Sequence, residues 1–526
     1  MARDLFLYNG RFRTMDPRFP AAEAILIRQG RIVARGATAD LRALSRAALP
    51  VNLAGRSASP GLEDAHLHLC EHGLALQQLQ LVGCHTLEDV QSAVRGAAEN
   101  STQHWIHGHG WDHNAWPRPV KPTRHDLDLV SPSQPVALDS KDLHTLWVNS
   151  AALRLAGIDC NTPDVAGGEI PRDSAGEPLG IFSERARELI QRVIPAPTPA
   201  ERLQAARLAI SDATRLGLTA VHSCEGPESF AALAQLERAG ELPLRVWHML
   251  PVRYLDQALA LGLRTGFGSE RLRIGHIKLF ADGALGSGTA EMLEPYEDAP
   301  ESRGVAASST EEMFEAVLRA AEGGLACAIH AIGDAANRRV LGVYARVLRE
   351  LGSLGLRQRI EHVQLITPED RRRMSRLGVV ASMQPYHCTQ DMATAERRWG
   401  RRCRDAYAWA SLLSAGSHLA FGTDAPVEPL NPLRGLYAAM TRTREAESDE
   451  DAWYPEERLS LDQALRAYTW GSAYAGYAER ERGMLAPGRQ ADITVFSDAL
   501  SDDEPRRLLE MGIDCTIVGG QIAFQR

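Results

Sequence analysis

Short, almost uninterrupted apolar runs recur along the middle of the chain, each followed by a pattern of helical period. LTAVHS at 218–223 precedes the amphipathic ESFAALAQLERAG, and LRVWHML and RIGHIKLF follow. LACAIHA, a helix from Asp334 onward, RIEHVQL, VVASMQP and HLAFGTDAP continue the same rhythm. Runs of this kind are strands buried on both faces, and their alternation with helices makes them parallel strands joined by crossovers. About eight such units over roughly 400 residues predict an α/β fold, a closed (β/α)8 TIM-like barrel, in preference to an open sheet.

The two ends of the chain read differently. LFLYNGRFRTM and AEAILIRQGRIVARG at the start, and MLAPGRQADITVF and CTIVGGQIAFQR at the finish, are β-like runs around turn signals. Asn9-Gly10, Gln29-Gly30 and Gly519-Gly520 are the expected hairpin turns. Neither end carries enough apolar surface for a core of its own. Residues 1–58 and 486–526 are therefore expected to form one β-sandwich flanking a catalytic barrel over 59–485. The stretch 84–200 is long for one connection and carries HWIHGHGWDHNAW, which reads as an elaborated insertion over the barrel mouth.

Composition narrows the partners. Lys plus Arg is 58 against 67 Asp plus Glu, a net charge of -9, so no basic excess draws the chain to nucleic acid or anionic lipid. No uninterrupted apolar segment reaches the ~18 residues that span a membrane. The apolar run in MARDLFLYNGRF is too short for a signal peptide, and a cytoplasmic location is expected. The 8 Cys form no CxxC pair, which argues against a zinc ribbon or a disulfide framework. Cys70, Cys224 and Cys327 read as packing thiols.

The candidate chemistry begins with SPGLEDAHLHL at 59–69. His66 and His68 are two apart, so on an extended chain both imidazoles face one point in space. Alone, such a pair reads equally well as two solvated or hydrogen-bonded histidines. In a parallel barrel, however, chemistry gathers at the C-terminal ends of strands. His222 in TAVHS, Lys278 in GHIKLFADG, His330 in CAIHAIGD, His362 in RIEHVQ and Asp424 in AFGTDAPV all lie at or near the ends of apolar runs. Imidazole and carboxylate without thiolate suit Zn2+, Mn2+ or Fe2+ in an open catalytic site. Hydrolysis by metal-activated hydroxide is the default chemistry of such a site.

These stretches, with HGHGWDHNAW, DSKDLHTLWVNSAAL, GEPLGIFSE, IKLFADGALGS, HAIGDAANRRV, QPYHCTQD, FGTDAPVEPLNPL and PGRQADITVF, resemble the amidohydrolase superfamily. The closer likeness is to its family 3 branch, which includes N-substituted formamide deformylases. The resemblance implies a binuclear site with two divalent ions: His66, His68 and Asp424 on one, His330 and His362 on the other, and a carbamylated Lys278 bridging them. The alternative for Lys278 is an ion pair with Asp282 or Glu361. Asp424 would take the proton of the attacking water and pass it to the leaving nitrogen, and His222, assigned to the third strand, would hydrogen-bond the developing oxyanion. Trp111, Asp112 and Trp116 are candidates for a substrate wall or for packing of the insertion. Asp142, His144, Gln384 and His387 match family motifs and are expected to line the pocket. The resemblance also implies a homodimer.

Three positions depart from the family. Gly288 stands where relatives often carry Arg, Ser223 where they often carry Asp, and Leu143 where Gly is frequent. They leave the metal set intact and bear on the substrate. A small non-peptide amide, an N-substituted formamide or a cyclic amide, is the expected substrate class. Ester or lactone hydrolysis or isomerisation at the same site, and a catalytically silent ligand-binding barrel, are the competing readings.

Overall fold

The computed structural model describes residues 3–100, 104–113, 116–117, 121–141, 145–165, 168–448 and 451–526. The chain divides into two compact units, Met1–Leu69 with Ala209–Arg526, and Cys70–Leu208.

The first unit contains eight parallel strands in sequential order. We number them β1 (Leu62–Leu67), β2 (Leu218–Cys224), β3 (Arg245–Pro251), β4 (Leu272–Phe280), β5 (Cys327–Ala331), β6 (Arg359–His362), β7 (Val380–Met383) and β8 (Leu419–Phe421). Nearly every residue in them is buried, because helices cover the outer face of the sheet and side chains fill the inner one. The crossovers begin where local chemistry favours helix. Ser309 and Glu312 form a capping box for Thr310–Glu322, and Thr367 caps Pro368–Leu377, whose first residue is the tolerated N-terminal proline.

Neighbouring strands form a ladder at every junction but one. Among the described residues, β8 meets β1 through single contacts instead: Asp424 N–H donates to His66 O at 2.7 Å and His68 N–H to Ala425 O at 2.8 Å. The Asp64 carboxylate accepts from the Thr423 hydroxyl at 2.6 Å and from its backbone N–H at 3.1 Å. Gly422 is required here, since a Cβ would sit 2.5 Å from His66 N.

The chain ends form two further sheets in the same unit, the first from N-terminal strands alone and the second from both ends. One has four strands, in the order Arg31–Gly36, Ala24–Arg28, Leu5–Tyr8, Leu49–Asn52. The other has six and brings Gln521–Gln525, Ile513–Val518 and Ile493–Phe496 beside Ser57–Pro60, Arg11–Arg13 and Ala21–Ala22. Their shared core holds Leu5, Leu7, Ile25, Ile27, Ile493, Val495 and Ile517, while the alternate residues Phe6 and Leu26 pack around Leu41 on the opposite face. Gln29-Gly30 and Gly519-Gly520 turn true hairpins with left-handed backbones. Asn9-Gly10 does not. The strands on either side of it belong to different sheets, so the turn signal marks a crossing from one layer of the sandwich to the other.

The second unit is larger than the expected insertion at 84–200 and has a mixed sheet of six strands. Ile106–Trp111 and Val136–Ser140 pair in parallel at its centre, and Thr145–Val148 and Ile181–Glu184 continue it antiparallel. Leu81, Val90, Val94, Ile106, Trp111, Trp116 and Trp147 belong to one core cluster of this unit.

Candidate metal centre

The strand ends of the barrel bring His66, His68, His330, His362 and Asp424 together. One nitrogen each from His66 and His362 and one oxygen of Asp424 lie within 4.8 Å of one another. Asp424 Oδ1 is 3.5 Å from His66 Nε2 and 3.4 Å from His68 Nε2. The His330 and His362 rings are 4.6 Å apart between centroids. Two of these residues have left-handed backbones, His362 with φ 75° and Asp424 with φ 62°, conformations that ordinary residues hold only where the surroundings impose them.

Every imidazole has one nitrogen already engaged. His66 Nδ1 is 2.6 Å from Glu361 Oε2, His68 Nδ1 2.9 Å from Cys224 O, His330 Nε2 2.9 Å from Gly283 O, and His362 Nδ1 2.8 Å from Gln384 Oε1. An acceptor at one nitrogen puts the proton there and leaves the lone pair on the other, which is how metal-binding histidines are commonly oriented. Burial favours the neutral ring that a metal needs, although at His68 burial is outweighed by the Asp424 hydrogen bond and charge together and the ring's pKa is raised. Burial outweighs Glu361 and lowers His66. Burial and the Lys278 charge push His330 down to about 3. Burial and then His330 carry His362 well below its usual value. Burial alone would raise the Asp424 carboxyl, but hydrogen bonds from His387 and His68 hold it well below the usual carboxylate range.

Lys278 supplies a second test of fit. Its Nζ is buried and has no hydrogen-bond partner among the described residues, with the Phe280 ring 4.7 Å away. The alternative ion pairs are not formed. Asp282 accepts instead from the backbone N–H groups of Glu291, Ile332 and Gly333, and Glu361 is held by Arg359 and His66. A buried amine with no partner is costly, whereas its CO2 adduct is an anionic oxygen donor suited to cations. The donor set therefore fits divalent metal.

The described residues expected to contact substrate have partners within the protein. His222 lies on β2, not on a third strand, and is fully buried. Arg359 Nη1 donates to its Nδ1 at 2.7 Å, and burial followed by the Arg359 charge keeps the ring neutral. A guanidinium that also binds Glu361, Ser382 Oγ and Ala65 O ties the Nδ1 side of His222 into the barrel interior, and its Nε2 has no hydrogen-bond partner among the described residues. Gln384 orients His362. His387 has Nε2 3.3 Å from Asp424 Oδ2 and Nδ1 3.5 Å from Glu428 Oε1. Trp111 and Trp116 are buried in a core cluster of the second unit, with Trp111 Nε1 donating to Leu138 O at 2.9 Å, which accords with the packing alternative. Asp112 is half-buried at the end of the same strand. Asp142 and His144 lie outside the described residues, as does Leu143.

Arg359, Glu361 and Glu428 were not singled out as functional by sequence. For the first two a signal existed: RIEH puts opposite charges two apart, on one face of a strand that the barrel must bury. Glu428 follows Asp424 by four residues in TDAPVE and has no periodicity to mark it.

The chain matches the amidohydrolase family over residues 50–524. It is 34% identical over 532 residues to the putative amidohydrolase YtcJ of Bacillus subtilis, covering 99% of each chain. It is 27% identical over 545 residues to the N-substituted formamide deformylase of Arthrobacter pascens, covering 100% of this chain and 99% of that one. The crystal structure of a metal-dependent hydrolase from Pyrococcus furiosus superposes with a TM-score of 0.77 at 30% identity, over 96% of this chain and 100% of the other. With a site that fits divalent metal inside a barrel shared over these lengths, the chain belongs to the amidohydrolase family and is a metal-dependent amidohydrolase.

Proposed function

We propose that this amidohydrolase cleaves the carbon–nitrogen bond of a small non-peptide amide, an N-substituted formamide or a cyclic amide. One observation carries the reading: four histidines each give one ring nitrogen to an acceptor and keep the other for the centre around Asp424. The full-length similarity to a formamide deformylase supports the substrate class. His66, His68 and Asp424 would hold one ion and His330 and His362 a second, with Lys278 bridging as a carbamate. Nitrogen and oxygen donors without thiolate favour Zn2+ and accept Mn2+ or Fe2+.

Metal bound there lowers the pKa of water toward neutrality and polarises the substrate carbonyl. Asp424 accepts a proton from the water whose oxygen attacks the carbonyl carbon. It returns that proton to the nitrogen as the C–N bond breaks, giving a carboxylic acid and an amine, which exchange the remaining proton and leave as carboxylate and ammonium. No helix among the described residues is long and apolar enough to cross a membrane. The same reading makes the protein a cytoplasmic homodimer acting on a small-molecule amide.

The test is elemental analysis of protein purified with bicarbonate and without chelator, followed by assay of N-formyl amines against aryl esters at equal metal loading. About two ions per chain and turnover of the formyl amines are expected. Turnover of esters alone sinks the amide assignment, and a protein that retains no metal even after incubation with Zn2+ or Mn2+ sinks the hydrolytic centre.

A further inference from the structure

We infer that His387 and Glu428 form a positioning pair that fixes the orientation of Asp424, and that neither is a substrate contact. The inference rests on the reading of Asp424 as ligand and proton carrier. Its geometry starts from the two carboxylate oxygens of Asp424, which face different partners. Oδ1 looks toward His66 Nε2 and His68 Nε2 at 3.5 and 3.4 Å, and Oδ2 accepts from His387 Nε2 at 3.3 Å. A carboxylate with one oxygen held by a donor cannot swing about its terminal bond, so a single oxygen stays turned to the centre.

His387 is held in turn. It lies in the first turn of the helix Pro385–Trp399, and the Asp424–Val427 turn, closed by Val427 N–H to Asp424 O at 2.9 Å, brings Glu428 to its other nitrogen at 3.5 Å. Glu428 is 5% exposed, and its Oε2 has no hydrogen-bond partner among the described residues. Burying a carboxylate costs stability unless it faces a donor or cation, and the His387 ring is the ion-pair partner that Glu428 has among the described residues. With both ring nitrogens engaged by carboxylates, His387 has no polar atom left for a substrate.

The test uses full-length, metal-loaded protein carrying His387→Leu, His387→Gln or Glu428→Gln. Zinc affinity is read by competition with a chelator, the visible spectrum is read after Co2+ substitution, and kcat and KM are measured separately. His387→Leu is expected to weaken metal binding by about 10- to 100-fold and to shift the Co2+ bands. In the same variant kcat falls by at least about tenfold while KM stays within about twofold. Glu428→Gln moves the same quantities in the same direction by less, and His387→Gln, which keeps an N–H donor for Asp424, recovers part of the loss. If His387→Leu and Glu428→Gln leave metal affinity and the Co2+ spectrum unchanged, or if KM alone rises, the pair does not position Asp424. Should His387→Leu lose its cooperative melt, the isosteric Glu428→Gln decides. Should the parent protein hydrolyse no amide, the substrate reading fails while the affinity and spectral measurements still judge the pair.

Discussion

The sandwich and the barrel are both built from buried strands, yet their interiors are opposite in chemistry. Between the sandwich sheets the core is Leu5, Leu7, Ile25, Ile27, Ile493 and Ile517. Inside the barrel, Arg359, Glu361, His222 and Ser382 are all 0% exposed and joined through Arg359, Glu63–Arg482 forms a further buried pair at 2.8 Å, and Arg245–Asp492, also at 2.8 Å, ties the barrel to the start of a sandwich strand. Apolar burial is non-directional and fills space. A charged interior constrains direction, because each removed partner strands another group, and that is what an array of oriented metal ligands needs.

The largest expected break in this contrast is Arg359→Met. It leaves Glu361 buried without its guanidinium and His222 without its donor, and a loss of about 3–5 kcal/mol is expected in denaturant unfolding. Bound metal, measured on the folded fraction, falls as well, since Glu361 sets the His66 ring. Leu7→Ala is expected to cost about 2–5 kcal/mol through the cavity it leaves in the sandwich, while kcat and metal content per folded chain stay at parent values. Metal loss in that variant would mean that the two interiors are not separable. The smallest effect sharpens the exception within the sandwich region, where Asp16 pairs with Arg35 at 2.7 Å. The Arg35 hydrogen bond lowers the Asp16 pKa below its ordinary 3.8, so the stability it contributes is present above pH 3.8 and is lost as pH falls through the folded-state value. Asp16→Asn should therefore lower Tm at pH 6 by a deficit that narrows as pH is taken below 3.8; a deficit that does not change with pH would count against the ion pair.

The barrel was legible because buried parallel strands and their crossover helices leave two distinct periods in the sequence, and the sandwich because its strands alternate faces. The Asn9-Gly10 turn was misread because a turn signal specifies a reversal of the backbone but not which strand lies beyond it. At the site, the histidines stood out because they end apolar runs. The roles of Gln384 and His387 did not, since both sit where β7 passes into its helix and their partners come from β6 and from the loop after β8. An aromatic-rich stretch such as Trp111 to Trp116 reads alike whether it lines a cavity or fills a core, because ring size and polarity do not say which face is wet.

The seam between β8 and β1 bears on how the chain reaches this state. Thr423 and Asp64 are 359 positions apart, and the ring has no earlier place to close. While the ribosome is still producing the intervening residues, β1 is an edge strand with an unmatched row of amides and carbonyls, open to pairing with another chain. Ser57–Pro60, just ahead of it, waits longer still for Ile493–Phe496. Non-local closure of this kind is slow. Ser57–Pro60 and β1 thus keep an open edge that needs sheltering until strands more than about 350 positions later have been made.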